Sequence, residues 1–368
     1  MLYYLSQHFD SLHIFKYLTF RSAGAAFFAF LFVVLLGPLT VRLLKKFSAV
    51  APLRLKGLVP DHEIDLSKEK TPSMGGILIV LGIFVSTILW APLSNPLVLI
   101  FLITLIVYAA IGFVDDYQKV AHGNRDGISE KMKLGLQVFA AAGATYYLST
   151  LPQFAEHSQN MMVPFYKTAV ATLPLWVMIS FSSVVVVGAS NAVNLTDGLD
   201  GLATGCMIIA AATFVIFAYL CGNFNYANYL SIPYIEGCGE VCVFGAAIVG
   251  ACLGFLWHNC HPASMFMGDT GSLSLGASIG MIAVLVKQEW TLVIVGGVFV
   301  WEASSVLIQR FYFKYTRKKY GEGRRVFLMA PIHHHYQKKG WKETQVVLRF
   351  WIIALLCAGA GLATLKIR

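Results

Sequence analysis

The sequence predicts an all-α, polytopic integral membrane protein with about ten transmembrane helices. Of its 368 residues, 57% are hydrophobic and only 13% are charged. The mean hydropathy of +0.67 is too high for a water-soluble chain of this length. The apolar residues fall in runs of the length that a membrane-spanning helix requires, roughly 20 residues. No linker rich in Gly, Ser or Pro interrupts them, so residues 1–368 are expected to form a single domain.

Ten candidate spans follow one another along the chain. The first, third and last are long apolar runs, whereas the fifth and eighth are short. Residues 1–20 are typical of an interfacial segment, because no small-residue cleavage site of a signal peptide precedes the first span. The spans cover about 22–44, 74–92, 97–114, 132–150, 173–189, 201–220, 241–257, 273–287, 291–312 and 346–365.

Lysine and arginine residues predict the orientation of these spans. With ten spans both termini share one side, and the connecting segments alternate between the two sides. One alternating set carries 22 of the 28 Lys and Arg residues, and the other set with both termini carries 6. The positive-inside rule places the first set in the cytoplasm and both termini in the periplasm. This distribution explains the net charge of +9 without any nucleic-acid partner. The first set comprises 42–73, 115–133, 190–200, 258–272 and 310–349.

Every polar cluster that could carry chemistry falls in this cytoplasmic set. The expected active-site loops are 45–73, 115–131, 190–200, 258–272 and 313–345. Their motifs, in chain order, are KEKTPSMGG from Lys68, DDY from Asp115, NAVNLTDGLDG from Asn191, NCHPASMFMGDTGS from Asn259, and PIHHHY from Pro331.

Three carboxylates are candidates for a metal or proton site. Asp115 and Asp116 end an apolar run, where adjacent acids repel one another and need a compensating cation or proton. Asp269 follows a glycine directly before the eighth span. Together the three acids could hold Mg²⁺ against substrate phosphates. The alternatives are a solvated helix end for the pair and a helix N-cap for Asp269.

In NAVNLTDGLDG, polar residues recur every third position. Asn191, Asn194, Asp197 and Asp200 are expected near one face of a helical turn that glycines tighten. Oxygen-rich, glycine-punctuated segments suit divalent cations and phosphates, although this spacing is not that of an EF-hand. Ordinary turn chemistry and an N-cap for the next helix remain alternatives.

Two further groups suit a nucleotide substrate. His333, His334 and His335 lie in a strongly basic loop, which favours imidazoles that face a phosphate. A solvated basic loop is the alternative; zinc is disfavoured because no matching Cys or acidic spacing lies nearby. Phe266, with Asn259, suits a flat base ring, although interface aromatics at a helix end would give the same pattern.

Taken together, these motifs resemble those of the polyprenyl-phosphate N-acetylhexosamine-1-phosphate transferases, glycosyltransferase family 4. The resemblance runs along essentially the whole chain. TPSMGG, GFVDDYQK, NAVNLTDGLDGLA, FMGDTGSLSLG and APIHHHYQKKGW stand in the family's order. The last segment is similar to that of the muramoyl-pentapeptide branch of the superfamily.

This resemblance implies a reaction and its site. Phospho-MurNAc-pentapeptide would pass from UDP-MurNAc-pentapeptide to undecaprenyl phosphate, giving lipid I and UMP in peptidoglycan biosynthesis at the cytoplasmic face of the bacterial inner membrane. Mg²⁺ is the implied cofactor, and a homodimer is possible but not required. Asp115, Asp116 and Asp269 are the implied catalytic acids, with Asp269 on Mg²⁺ and Asp115 or Asp116 acting on the lipid phosphate.

The resemblance also implies a set of substrate-binding residues. Phe266 is the expected uracil-stacking ring. Lys70 stands where the family pattern has glycine, so either Lys68 or Lys70 is expected to meet phosphate. The implied residues are Lys68, Asn191, Asn194, Asp197, Asp200, Asn259, Phe266, Gln309, His333, His334 and His335.

Two competing functions have distinct sequence signatures. A sister enzyme that moves GlcNAc-1-phosphate would share the acids, but the triple-histidine segment argues against it. An ion-coupled transporter would place acids near the middle of spans and show two repeated halves. Here the acids lie at span ends on one side, and no internal repeat is visible.

Overall fold

A computed structural model describes residues 1–47, 71–121 and 127–367, and these ranges are almost entirely α-helical. The all-α fold class is therefore confirmed. The helices are α1 (Leu2–His8), α2 (Leu18–Lys46), α3 (Gly76–Trp90), α4 (Pro96–Ala121), α5 (Glu130–Thr150), α6 (Pro152–Ala155), α7 (Leu175–Thr196), α8 (Leu202–Cys221), α9 (Phe224–Leu230), α10 (Val241–Asn259), α11 (Gly268–Leu285), α12 (Glu289–Val295), α13 (Gly297–Tyr320), α14 (Ile332–Lys338) and α15 (Glu343–Ala363).

Short elements connect some of these helices. Two 3₁₀ segments cover Asp10–Lys16 and Cys238–Glu240. Strands β1 (Asn160–Met161) and β2 (Ala171–Thr172) form a small antiparallel hairpin between α6 and α7, with Asn160 opposite Thr172.

Each of the ten predicted spans coincides with a helix or a helix pair. Within the described ranges, α2, α4, α7, α8, α10, α11 and α15 are long and apolar enough to cross a membrane, and α12 with α13 adds an eighth candidate. Helix α3 has only 15 residues, and α5 starts with charged residues. The chain is thus a multi-pass membrane protein, whereas the count of ten and the periplasmic termini stay predictions.

The predicted ninth span, 291–312, is two helices that meet at 87°. The break falls at the consecutive glycines Gly296 and Gly297, and glycine is among the weakest helix formers. A side chain at Gly297 would also lie 2.8 Å from Cys357 Sγ. The bend turns α13 in a new direction, and Glu302 in its second turn is buried.

Helix α11 forms the centre of the bundle, since all of its residues are buried. Neighbouring helices approach it closely at glycines. A Cβ at Gly112 of α4 would lie 2.3 Å from the carbonyl oxygen of Asp269, and one at Gly276 would lie 2.6 Å from that of Ala189 in α7. Small residues at helix contacts allow such approaches in membrane bundles. The N-terminus of α11 is therefore held tightly between α4 and α7.

Candidate active site

Asp116, at the end of α4, caps the N-terminus of α11. Its Oδ1 accepts a hydrogen bond from the backbone N–H of Asp269 at 3.0 Å. Its Oδ2 accepts from the backbone N–H of Thr270 at 2.9 Å and from the Thr270 hydroxyl at 2.8 Å. A carboxylate at a helix N-terminus satisfies free N–H groups and matches the helix dipole. Asp116 therefore fixes the first turn of α11, and with it the position of Asp269.

Asp115 and Asp269 face each other across two lysines. Lys119 Nζ lies 2.5 Å from Asp115 Oδ2 and 3.0 Å from Asp269 Oδ2. Lys133 Nζ, from α5, lies 3.3 Å from Asp115 Oδ2 and also pairs with Asp269 Oδ2. Asp115 and Asp116 are only 2% and 4% exposed, so the alternative of a solvated helix end is wrong.

The acid cluster, defined as Asp115, Asp116 and Asp269, fits a hard divalent cation. One carboxylate oxygen from each acid lies within 4.8 Å of the others. If all groups are ionised, three carboxylates against the two ammonium groups of Lys119 and Lys133 leave one net negative charge. Oxygen ligands and residual negative charge are the features that Mg²⁺ prefers.

Two asparagines of α7 bond to the neighbouring helices α11 and α5. Asn194 Nδ2 donates to Asp269 Oδ1 and to Ser272 Oγ, both at 2.8 Å. Asn191, one turn earlier, donates to Gln137 Oε1 at 2.7 Å. Asn191 and Asn194 therefore lie near one face of α7, as predicted.

The second half of the NAVNLTDGLDG motif leaves the helix. Helix α7 ends at Thr196, so Asp197 and Asp200 lie in the following turn. The N-cap of α8 is Gly201, whose φ of +78° is a conformation that favours glycine. The alternative of an Asp N-cap for α8 is therefore wrong.

Asp200 belongs to a second cluster with His261 and Glu343. Asp200 Oδ2 lies 3.1 Å from His261 Nδ1, and the backbone N–H of Asp200 donates to Glu343 Oε1 at 2.9 Å. Asn259 Oδ1 accepts from the backbone N–H of Gly201 at 3.0 Å. These bonds join the turn before α8, the segment after α10 and the first turn of α15.

The three histidines of α14 have different surroundings. His333 is fully buried, and its Nδ1 lies 3.0 Å from Glu302 Oε2. His334 Nδ1 is hydrogen-bonded to Gln337 Oε1 at 2.7 Å. His335 Nδ1 accepts from the backbone N–H of Leu328 at 3.1 Å.

The surroundings of His335 disfavour its cationic form. Partial burial, and then the nearby Lys339 ammonium, lowers the pKa of His335 below its ordinary value. A neutral ring agrees with an Nδ1 atom that accepts a hydrogen bond.

The remaining predicted residues lie as follows. Gln309 braces the segment before α14: its Oε1 accepts from the backbone N–H groups of Val326 and Phe327, both at 3.0 Å. Phe266 is half-buried, and its backbone oxygen accepts from the N–H of Gly75 at 2.8 Å. Lys68 and Lys70 lie outside the described residues, as does most of the loop 45–73.

Sequence reasoning missed several residues at these sites. Lys119 follows Asp115 by four positions on a helix, and Gln137 follows Lys133 by four, so each pair shares a helix face. Glu302 is an acid within an apolar run, which by itself signals a functional or structural partner. His261 and Glu343 gave no such local signal, because their partner Asp200 is distant in sequence.

Comparison with known proteins first gives the class. The family model described as glycosyl transferase family 4 matches residues 98–287, which contain the whole acid cluster. Phospho-N-acetylmuramoyl-pentapeptide-transferase signature 1 matches residues 68–80. The fold, the site and these matches define the class as the membrane-embedded glycosyl transferases of family 4.

Relatives that match over their full length identify the family within this class. The chain is 47% identical to the phospho-N-acetylmuramoyl-pentapeptide-transferase of Desulfotalea psychrophila over 368 residues, which is 100% of this chain and 99% of that protein. It is 47% identical to the enzyme of that name from Geobacter sp. (strain M21), with the same coverage. For Pelagibacter ubique the values are 48% identity, 99% of this chain and 98% of that protein. The chain belongs to the phospho-N-acetylmuramoyl-pentapeptide-transferase family.

Proposed function

We propose that this chain transfers phospho-MurNAc-pentapeptide from UDP-MurNAc-pentapeptide to undecaprenyl phosphate, forming lipid I and UMP in peptidoglycan synthesis. Full-length relatives that carry the transferase name support this reaction. The active site would face the cytoplasm at the bacterial inner membrane, where the soluble donor and the lipid acceptor can meet.

The buried acid cluster with its two lysines carries this proposal. A diphosphate donor and a phosphate acceptor bring several negative charges together, so the site must reduce their repulsion and align the attacking and leaving oxygens. Lys119 and Lys133 provide positive charge beside Asp115 and Asp269. These ion pairs can exchange for contacts with substrate phosphates when the substrates bind.

Mg²⁺ is the proposed cofactor. Asp269 and Asp115 would hold the ion through the Oδ2 atoms that pair with Lys119 and Lys133, whereas both oxygens of Asp116 accept bonds from the first turn of α11. When bound, Mg²⁺ would offset charge on the phosphates of the donor. Asn194 keeps the Asp269 carboxylate oriented through its bond to Oδ1. Asp116 is a positioning residue in this scheme. Asp115 would be the acid that acts on the acceptor phosphate.

The donor would lie on the side of Asp200, Asn259 and Phe266, with the uracil ring on Phe266. Helix α14 lies next to this proposed donor site, because the ring of His333 packs against Gly198. Asp200, two residues after Gly198, is hydrogen-bonded to His261. With the nucleotide in that position, the reacting phosphates would bind at the acid cluster.

One assay tests reaction, cofactor and branch together. Purified protein is incubated with UDP-MurNAc-pentapeptide, undecaprenyl phosphate and Mg²⁺, and UMP and lipid product are measured, with EDTA as a control and UDP-GlcNAc as rival donor. We expect Mg²⁺-dependent UMP release with the muramoyl donor alone. Activity with UDP-GlcNAc alone would indicate the sister enzyme, and folded protein inactive with both donors would overturn the transferase assignment.

A further inference from the structure

Glu302 is a buried acid that the proposed reaction does not use. It lies in the second turn of α13 and is 0% exposed, next to the buried residues Val298 and Phe299. A carboxylate in such an apolar layer is strongly unfavourable unless a partner compensates it. The identity of its partner therefore indicates why this acid is present.

The partner is His333, the first histidine of α14. His333 Nδ1 and Glu302 Oε2 lie 3.0 Å apart, and both residues are 0% exposed. The Glu302 carboxyl group also lies beside the backbone N–H groups at the start of α14, those of Ile332 and His333. One carboxyl group on α13 thus pairs with the ring of His333 and lies next to the first turn of its helix.

The opposite side of the His333 ring rests against the NAVNLTDGLDG motif. A Cβ placed on Gly198 would lie 2.3 Å from His333 Nε2, so the ring occupies the space that a side chain there would need. Gly198 directly follows Asp197, and Asp200 lies two residues further on. The ring therefore packs between α13 and the turn that carries both aspartates.

We propose that Glu302 is a positioning residue that acts through His333 on the turn 197–201. Carboxylate–histidine pairs fix the orientation and tautomer of the ring, and loss of the carboxylate releases both. With Nδ1 bonded to Glu302, Nε2 is the nitrogen that faces the turn. The described hydrogen bonds and ion pairs of Glu302 include none with the acid cluster. This inference rests on the proposed function, because the turn 197–201 is the segment assigned to the donor.

A double-mutant cycle tests the route through His333. For Glu302→Ala we expect a loss of about 10- to 100-fold in kcat/KM for the donor, with the KM of undecaprenyl phosphate unchanged. In a His333→Ala background the same substitution should cause no further loss, because residues that act as a unit are not additive. Glu302→Gln keeps an acceptor oxygen at the same place and should recover most of the activity. Additive losses in the double variant would overturn the inference.

A measurement that needs no turnover separates this inference from the proposed reaction. Hydrogen–deuterium exchange of the intact protein in detergent should become faster at 197–201 and 331–338 in Glu302→Ala. The matched control is Glu289→Gln, which alters a buried carboxylate bonded to Lys287 at 2.9 Å, beyond the opposite end of α11. The control should leave exchange at both segments and the donor kcat/KM unchanged. Unchanged exchange in folded Glu302→Ala protein would contradict the inference, even if the wild-type protein proved inactive. If the wild-type protein is inactive but exchange in Glu302→Ala becomes faster as expected, only the proposed reaction is contradicted.

Discussion

At the residue scale, Asp115 and Asp116 are adjacent in the chain but have different partners. Asp115 Oδ2 pairs with Lys119 and Lys133, whereas both oxygens of Asp116 accept bonds from Asp269 and Thr270. Consecutive residues on a helix point about 100° apart, so one faces the lysines and the other faces α11. The pair therefore combines a charged group at the site with a cap that positions Asp269.

Asp269→Asn should abolish most turnover while the protein stays folded. An amide has the same shape as the carboxylate but is a poorer Mg²⁺ ligand and cannot pair with Lys133 as an anion. We expect kcat to fall by about 100-fold or more, the scale seen when one preorganised electrostatic group is removed. Rates are measured as UMP release over a range of Mg²⁺ concentrations, with thermal unfolding in detergent as the folding control. Near-wild-type turnover would remove Asp269 from the metal site.

Lys133→Met should lower kcat/KM by about 10- to 100-fold, which corresponds to about 1.5–3 kcal/mol for one charged contact. The substitution keeps much of the side-chain length but removes the charge that pairs with Asp115 and Asp269. Lys131→Met is the matched control, since Lys131 is exposed two residues earlier on the same helix. Equal losses in the two variants would indicate a general charge effect and not a contact at the site.

At the element scale, α11 explains why the site is rigid. The helix is buried along its whole length, and it presents Asp269 at its N-terminus only because α4 and α7 approach within backbone contact. The acids reach the site from α4 and α11, the second lysine from α5 and the orienting amide from α7. Helix packing, and not any single loop, brings these groups together.

Gly112→Ala should therefore lower stability and turnover together. The new methyl group would overlap the carbonyl oxygen of Asp269, since a Cβ there lies 2.3 Å away, and α4 must shift. Gly135→Ala in α5 is the control, because a Cβ at Gly135 meets no described atom within 4 Å. The control should be neutral or slightly stabilising, by up to about 1 kcal/mol from helix propensity. Thermal unfolding and UMP release are compared, and a wild-type melting temperature for Gly112→Ala would contradict the close packing.

At the scale of the whole molecule, large apolar side chains lie on the outer surface and the charged acid cluster lies inside. Large apolar side chains are exposed on α2 and α15, such as Leu35 and Leu356 at 71% and 69%. These faces suit lipid, because a bundle in a bilayer gains nothing by hiding leucine. The acid cluster lies inside, at the ends of α4 and α11. The prediction that the site faces the cytoplasm and the termini do not rests instead on the distribution of Lys and Arg residues.

Reporter fusions at the C-terminus test this orientation. Alkaline phosphatase joined after Arg368 should be active, and green fluorescent protein at the same position should stay dark, since the predicted terminus is periplasmic. The expectation follows from the bias of 22 against 6 Lys and Arg residues between the two sides. A control fusion after Gly321, between α13 and α14 in the predicted cytoplasmic segment 310–349, should give the opposite result. Fluorescence at the C-terminus would reverse the topology or change the number of spans.

The fold class, the family and the acids of the site are all predictable from the sequence. Apolar runs identify membrane helices because lipid excludes unpaired backbone groups, and this constraint acts locally along the chain. Asp115, Asp116 and Asp269 were predicted to lie together, and the structure places their carboxylates within 4.8 Å.

The partner that each side chain contacts is known only from the packing of the helices. The capping role of Asp116, the lysines that join Asp115 to Asp269, and the pairing of Glu302 with His333 all link separate helices. Sequence periodicity reports which residues share one helix face, but not which helix packs against that face or at what angle. The 87° break at Gly296 and Gly297 has the same origin, because Cys357, which leaves no room for a side chain at Gly297, lies on another helix.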